Sequence, residues 1–443
     1  MKPTIWRKIK YHLWGRAVFS NRFYDLFLRP FDRILCEVVS TGVLKKQREK
    51  GIPLNKICQA ADLNNHEWRG VLSELKMSLN EADFHRKAWE HVQIILSAKR
   101  TKLLTPGSVC LAVGAGRENL LYYLTYKVKK VWGIDLYEGE FFGGEDEADI
   151  PLSAKKYAPF PYPEEKLTLL RMDALNLEFD DSTFDFIFSS SSIEHFGSVK
   201  EILRSLKEIY RVLKPGGAAF LTTELRLNRL GSSIKHIKVF PFHELISLFK
   251  EAGFCIKDDG FDLRVEKEYL DDWIKLPDDV FRRPHVILRY FNTVLTSIHA
   301  VLEKEGGEAA KGNETASSIP DFIYRGEIYV SSLDKRVKRK GKVTLSITLK
   351  NISNFAWVST GYSHRISLGI KLLNAKKELA ERDFLTLVLP RGIAPGETLV
   401  FSAHITAPSK KGSWILEFDL KKELVVWFSQ KGNKTFDLKL EVI

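Results

Sequence analysis

Five short apolar runs, VCLAV, KVWGID, LTLLRM, FDFIFS and AAFLTTE, recur between Val109 and Glu224. Runs this short, apolar on both faces, read as strands of a parallel sheet covered on both sides. Parallel strands need helical crossovers. The segment SVKEILRSLKEIYRVL supplies one, since Val199, Ile202, Leu203, Leu206, Ile209, Tyr210 and Leu213 follow helical spacing. Ser198 and Glu201 spell a capping box, and Pro215-Gly216-Gly217 ends the helix. The pattern restricts residues 105–260 to a doubly wound α/β domain, with its ligand at the carboxyl ends of the strands.

The rest of the 443 residues is organised differently. Helical patterns fill residues 4–100, so residues 1–104 read as a helical N-terminal extension. EKEGGEAAKGNETASSIP, residues 303–320, has no apolar side chain larger than alanine before Ile319 and reads as a linker. It bounds the α/β domain at 105–302. Beyond it, Val343, Leu345, Ile347 and Leu349 alternate with polar residues. So do Ile366, Leu368, Ile370 and Leu372, and again Trp414, Leu416, Phe418 and Leu420. Period two broken by turn residues predicts an immunoglobulin-like antiparallel β-sandwich over 321–443.

The first α/β strand runs into Val113-Gly114-Ala115-Gly116-Arg117-Glu118-Asn119. Glycines there permit a tight turn and close approach of a ligand to the backbone. The next strand ends at Asp135-Leu136, where a carboxylate can accept hydrogen bonds from ribose hydroxyls. A dinucleotide site would want a third glycine at position 119, which is asparagine, and Glu118 would repel a diphosphate. A phosphate-free cation such as S-adenosylmethionine fits better. Asp173-Ala174, after the third strand, is placed for the adenine amino group. Ser190 lies where the fourth strand opens.

VGAGREN, GIDLY, MDA, FDDSTFDFIFSSSSIEHF and EIYRVLKPGG, in this order, resemble the Rossmann-like class I S-adenosylmethionine-dependent methyltransferases over residues 106–224. The subgroup most resembled is associated with bacterial surface-polysaccharide synthesis, on the strength of HRKAWEHVQ ahead of the loop and ILRYFNTVLTSIHAVLEK at 287–304. The resemblance implies S-adenosylmethionine as cofactor, held by Val113, Gly114, Ala115, Gly116, Asp135, Leu136, Asp173, Ala174 and Ser190. It implies O-methylation of a sugar in a surface glycan, its lipid-linked precursor or a nucleotide-sugar, with a glycosyltransferase or assembly protein as partner. The family's usual acidic residue two places before the first glycine is Ala112 here, and Glu118 is the candidate substitute. Two other readings stay open: a non-catalytic scaffold of glycan assembly, and methylation of a small metabolite or protein.

Removing a proton from a sugar hydroxyl calls for a base. His195 is the first candidate, beside Glu194, with Glu224 at the end of the fifth strand. No metal-ligand spacing accompanies them. Enzymes that methylate exocyclic base nitrogens resemble one another in an Asn/Asp/Ser-Pro-Pro-aromatic motif, and Ser189–Phe196 lacks it. Nucleic acid is therefore disfavoured as acceptor, and Leu54–Leu63 is only a faint echo of a helix-turn-helix. Residues 139–165, with Phe141, Phe142, Tyr157, Phe160 and Tyr162, read either as a lid or as a packed loop.

Charge divides the chain further. Residues 1–50 carry a net +8 and 320–443 a net +9, while 51–319 carry −5. Trp6, Ile9, Leu13, Trp14 and Phe19 interleave with basic residues over 1–22, which suits either an anionic membrane face or packing on the α/β domain. Trp357, Tyr362, Trp414 and Trp427 of the sandwich are candidates for stacking on sugars. No run of about 18 apolar residues predicts a membrane span, and the first residues lack a signal-peptide core. Cys36, Cys58, Cys110 and Cys255 are scattered, which gives neither a disulfide framework nor a cysteine zinc site and points to the cytoplasm.

Overall fold

A computed structural model describes residues 52–443 apart from 78, 82, 138–153, 230–233, 235–236, 258–259, 270–272, 277–283, 308–311, 313–317, 360–364 and 423–425. The basic, aromatic segment 1–22 therefore lies outside the described residues. Among the described residues, ten strands form one mixed sheet: β1 (Lys56–Ile57), β2 (Val109–Val113), β3 (Lys130–Asp135), β4 (Leu167–Arg171), β5 (Phe184–Ser190), β6 (Leu213–Arg226), β7 (Cys255–Ile256), β8 (Ile274–Leu276), β9 (Leu288–Tyr290) and β10 (Thr293–Glu303). The main order is β4-β3-β2-β5-β6-β10-β9-β8. Strands β2 to β6 pair in parallel and β10 returns antiparallel to β6. The chain leaves β2 toward one edge and comes back to β5 on its other side. That reversal opens a crevice at the carboxyl ends of β2 and β5.

The described helices are α1 (His66–Glu74), α2 (Arg86–Arg100), α3 (Asn119–Leu124), α4 (Val199–Val212) and α5 (Phe242–Glu251), with short helical turns between elements. In α4 the capping box is present, and Ile202, Leu206, Ile209 and Val212 are buried along one face. The helix stops at Val212, and Leu213-Lys214-Pro215-Gly216-Gly217 already belongs to β6. Helix α2 is buried from Ala88 to Ala98. It lies across β5, β6 and β10, and it carries the HRKAWEH motif to the strand ends.

Residues 54–63 do not form the first helix of a helix-turn-helix. Lys56 and Ile57 pair with His299 and Ile298 of β10, and a 3-10 turn follows over Ala60–Asn64. Polar satisfaction explains the outcome. Buried Asp62 accepts from Lys56 Nζ at 2.6 Å and from Trp89 Nε1 at 2.7 Å, which ties the segment to the sheet and to α2. Strand β10 runs through Glu303, and Lys304 Nζ donates to the carbonyls of Tyr210 and Leu213. Ile319 is 2% exposed in the α/β core. The ends of the 303–320 stretch are thus packed.

Among the described residues, nine strands build the C-terminal region: β11 (Gly326–Ser331), β12 (Arg336–Val337), β13 (Lys342–Asn351), β14 (Ile366–Asn374), β15 (Leu379–Val388), β16 (Thr398–Thr406), β17 (Gly412–Lys422), β18 (Val426–Trp427) and β19 (Phe436–Val442). One sheet is β11-β13-β16; the other is β12-β19-β17-β14-β15 with β18 beside β17. Val343, Leu345, Ile347 and Leu349 of the first face Leu368, Ile370, Leu416, Phe418 and Leu420 of the second in one core. Trp357 is fully buried in that core and donates to Ser353 Oγ, so it is not a surface sugar platform. Trp427 has Lys371 and Lys421 against its ring at 4.9 and 5.3 Å, and Tyr362 lies outside the described residues.

One buried charge stands out. Lys422 is 2% exposed, its Nζ has no hydrogen-bond partner, and Phe322 and Phe355 face it at 3.8 and 4.7 Å. Burial pushes the amine down from 10.5 to about 7. The folded state therefore binds this proton less tightly than the unfolded chain, and stability is diminished below pH 7 and recovers as the pH rises toward 10.5. Replacing Lys422 by methionine is expected to stabilise the region at neutral pH by about 2–4 kcal/mol. The shift alone corresponds to roughly 5 kcal/mol, and the lost cation–π contacts offset part of it. Thermal unfolding of both proteins at pH 7 and pH 10.5 checks this, since the gain should shrink at the higher pH.

Candidate functional site

The glycine loop is built by backbone geometry. Gly114 and Gly116 take φ of +68° and +46°, values that side-chain-bearing residues rarely adopt. Val113 and Ala115 are each 1% exposed and anchor the loop. The Gly116 N–H donates to Asp135 Oδ2 at 3.0 Å, and the Tyr137 N–H donates to Asp135 Oδ1 at 3.1 Å. Asp135 thus joins the end of β3 to the loop after β2. Leu136 beside it is 49% exposed. Asp173 accepts from the Leu175 N–H at 2.9 Å in the turn after β4, and Ala174 is 8% exposed.

The turn after β5 faces that loop. Ser192 Oγ donates to the Gly114 carbonyl at 2.9 Å. Ser191 adopts φ +47°, and its N–H is held by the Thr222 carbonyl and hydroxyl, each at 3.0 Å. His195 and Glu194 sit on the next 3-10 turn, but on different sides of it. His195 is exposed, whereas Glu194 is 2% exposed and accepts from Thr223 Oγ1 at 2.9 Å. Glu224 of β6 is 6% exposed and pairs with Arg86 at 2.5 Å, leaving its Oε2 without a hydrogen-bond partner.

Helix α2 completes the cluster. Lys87 Nζ reaches Glu90 at 3.0 Å and the Ser190 carbonyl at 2.9 Å. Burial alone would raise the Glu90 carboxyl; Lys87 and Arg86 outweigh it and hold the group at about 2. Burial drives Glu118 the other way, up to about 8, with only partial opposition from Lys87. Burial, and then Glu224, pushes Glu194 up as well. Adjacent carboxyls with such different proton affinities are typical of sites that move protons. Sequence reasoning singled out HRKAWEHVQ as a resemblance but missed Arg86, Lys87 and Glu90 as site residues. Their signal was three ionisable residues within five positions at the start of an otherwise buried helix.

Phe141 and Phe142 lie outside the described residues. The described part of that insertion packs against α3 and the residues just after it: Tyr162 meets the Tyr122 ring edge-on at 4.9 Å, and Tyr126 Oη donates to the Pro161 carbonyl at 2.7 Å.

The match to a known family falls on this loop and these strands: residues 111–221 match the model described as a methyltransferase domain. Residues 111–221 are a methyltransferase domain. Its cofactor is S-adenosylmethionine. The chain is 29% identical over 133 residues to the 2-phytyl-1,4-naphtoquinone methyltransferase of Nostoc punctiforme, covering 30% of this chain and 51% of that one. It is 33% identical over 115 residues to the demethylmenaquinone methyltransferase of Symbiobacterium thermophilum, covering 25% and 41%. The chain thus spans about half the length of the curated relatives it matches, or less. Among solved structures, the YcgJ protein of Bacillus subtilis is 15% identical, with a TM-score of 0.32, over 48% of this chain and 99% of that one. The [4+2]-cyclase SpnF is 15% identical, with a TM-score of 0.34, over 54% and 93%.

The methyltransferase domain's own residues fit this cofactor. Glu118 Oε2 and the Tyr137 hydroxyl are buried without hydrogen-bond partners at the glycine loop and beside Asp135. A buried carboxyl with one oxygen left without a hydrogen-bond partner suits a cationic ligand and opposes a diphosphate.

Proposed function

We propose that this chain transfers a methyl group from S-adenosylmethionine to a hydroxyl oxygen of a sugar, in a surface glycan or its precursor. The observation that carries the reading is the glycine loop closed on Asp135 next to a buried cluster of ionisable groups. Val113–Gly116, Asp135, Leu136, Asp173, Ala174 and Ser190 border the cofactor. Glu118 answers its positive charge, in place of the acidic residue missing at Ala112. The bound cofactor supplies a sulfonium methyl: its S–C bond breaks as the O–C bond forms, and the hydroxyl proton is left for the protein to take. Glu194 accepts that proton in this reading, with Glu224 and Arg86 beside it and His195 as the exposed alternative.

A second reading, an aromatic quinone acceptor, is favoured by the names of the curated relatives. Radiolabelled S-adenosylmethionine, the purified protein and fractionated lysate of the source cells separate the two. Label in polysaccharide or lipid-linked sugar supports the first, and label in the quinone fraction supports the second. Label in neither, despite cofactor binding, favours a scaffold. Contacts with a glycosyltransferase and peripheral attachment of residues 1–22 to an anionic membrane belong to the same proposal.

Glu118 adds a testable linkage. With its carboxyl at about 8, it is protonated at pH 7 in the free protein. The ionised form is the one a cation prefers, so cofactor affinity is expected to rise with pH and level off above about 8. Calorimetry at pH 7 in buffers of different ionisation enthalpy should show proton release, and Glu118→Gln should abolish both effects.

A further inference from the structure

Glu90 makes more polar contacts at the strand ends than its place in a helix interior requires. It is fully buried. Its Oε2 accepts from Lys87 Nζ at 3.0 Å, Ser191 Oγ at 2.8 Å, Thr222 Oγ1 at 3.2 Å and Ser190 Oγ at 3.3 Å. Its Oε1 accepts from Ser297 Oγ at 2.6 Å and lies 3.5 Å from Arg86. One carboxylate thus ties the end of β5, and β6 and β10 beside it, onto α2.

The consequence lies one residue further on. Ser191 is held at φ +47°, a conformation that costs a serine energy and persists only where its surroundings enforce it. Glu90 holds its hydroxyl, and Thr222 holds its N–H. The bend delivers Ser192 onto the Gly114 carbonyl. We infer that Glu90 is a positioning residue: it keeps the Ser190–Ser192 turn in this left-handed bend and so sets the cleft between that turn and the glycine loop. The inference rests on the S-adenosylmethionine reading of that cleft. Glu90 touches neither the cofactor nor the acceptor in this account and acts through Ser191.

Charged and titratable groups around it are Arg86, Lys87 and His91 on α2, Glu118 at the start of α3, Glu224 on β6, His299 on β10 and Cys58 after β1. Lys87 and Arg86 keep Glu90 ionised, so its hold on the turn is expected to be constant from pH 5 to 9.

The test measures S-adenosylhomocysteine binding by calorimetry, with thermal unfolding as the check on folding. Glu90→Gln is expected to weaken binding at least about tenfold, and Ser191→Ala a few-fold. Ser191→Gly should stay within about threefold of the parent, because glycine takes the left-handed bend without restraint. The double variant Glu90→Gln, Ser191→Gly should bind more tightly than Glu90→Gln alone, a rescue that a purely structural role for Glu90 does not predict. A folded Glu90→Gln protein with parental affinity, or a double variant no tighter than the single, overturns the inference. If Glu90→Gln does not fold, Ser191→Ala decides: parental affinity overturns the inference, and weakened binding with a parental melting temperature supports it. Failure of the parent protein itself to bind would instead overturn the cofactor reading.

Discussion

Replacing Gly114 by alanine is expected to weaken S-adenosylmethionine binding by at least about thirtyfold while leaving the protein folded. Two costs add. A left-handed residue with a Cβ is disfavoured by roughly 1–2 kcal/mol, and Gly114 sits at φ +68°. The new Cβ would also lie 2.4 Å from Ser192 Cβ and 2.7 Å from its Oγ. Neither atom is the far end of a flexible chain, so the turn after β5 must move, at a further cost of about 1–3 kcal/mol. Together these correspond to roughly thirtyfold to several-thousandfold in affinity. The energy falls on the cleft and not on the core, which is why binding suffers more than folding. Adding Ser192→Gly should recover part of the affinity by removing the clash. Gly70→Ala, in α1 with nothing within 4 Å of the added carbon, serves as control. It should bind as the parent does and gain about 0.5–1 kcal/mol of stability. Calorimetric affinities and melting temperatures of the four proteins check all of this.

Glu194→Gln is expected to lower kcat by about a hundredfold to ten-thousandfold, the usual worth of a positioned general base, with cofactor affinity nearly unchanged. Glutamine keeps the acceptor that Thr223 Oγ1 uses at 2.9 Å, so packing is preserved. Only the capacity to take a proton is lost. Burial and Glu224 raise the Glu194 carboxyl, so in the parent it is increasingly protonated as the pH falls, and a protonated group cannot act as base. The turnover rate should therefore climb as the pH rises from mildly acidic values, and the variant's residual rate should lack that limb. In the proposed reading Glu118 governs affinity and Glu194 governs turnover, so the two titrations are expected to separate when saturating and limiting cofactor are compared. A His195→Gln variant with the same loss of kcat, beside an unaffected Glu194→Gln, would move the base to the exposed side of the turn.

Much of this architecture was legible in the sequence because local and global signals agree there. Strands β2 to β6 were readable as apolar runs, and α4 as a helix with its capping box, since each must bury both faces or one stripe whatever surrounds it. The alternation at Val343–Leu349 located a sandwich strand for the same reason. Segments whose structure depends on distant partners were not readable. Residues 54–63 look helical, yet Lys56 and Ile57 find their hydrogen bonds on β10, more than two hundred residues away. Trp357 carries no mark that distinguishes a core ring from a surface platform. In the site, the glycine loop and Asp135 were visible because backbone geometry demands those residue types. Arg86, Lys87 and Glu90 were not, because a charged face on a helix ordinarily means solvent, and only the packing of α2 over three strands shows that these charges turn inward. The division between Glu194, buried, and His195, exposed, is likewise set by a 3-10 turn that periodicity does not resolve.

The most direct test of the account is calorimetric titration of S-adenosylmethionine into the 443-residue chain and into its Asp135→Ala variant. Asp135 joins the glycine loop to the end of β3 through two backbone N–H groups, and it is the residue proposed to hold the ribose. The account predicts one saturable site in the parent and a loss of at least about a hundredfold in the variant, with far-ultraviolet circular dichroism unchanged. Absence of binding to the parent, or equal binding to both proteins, would contradict it.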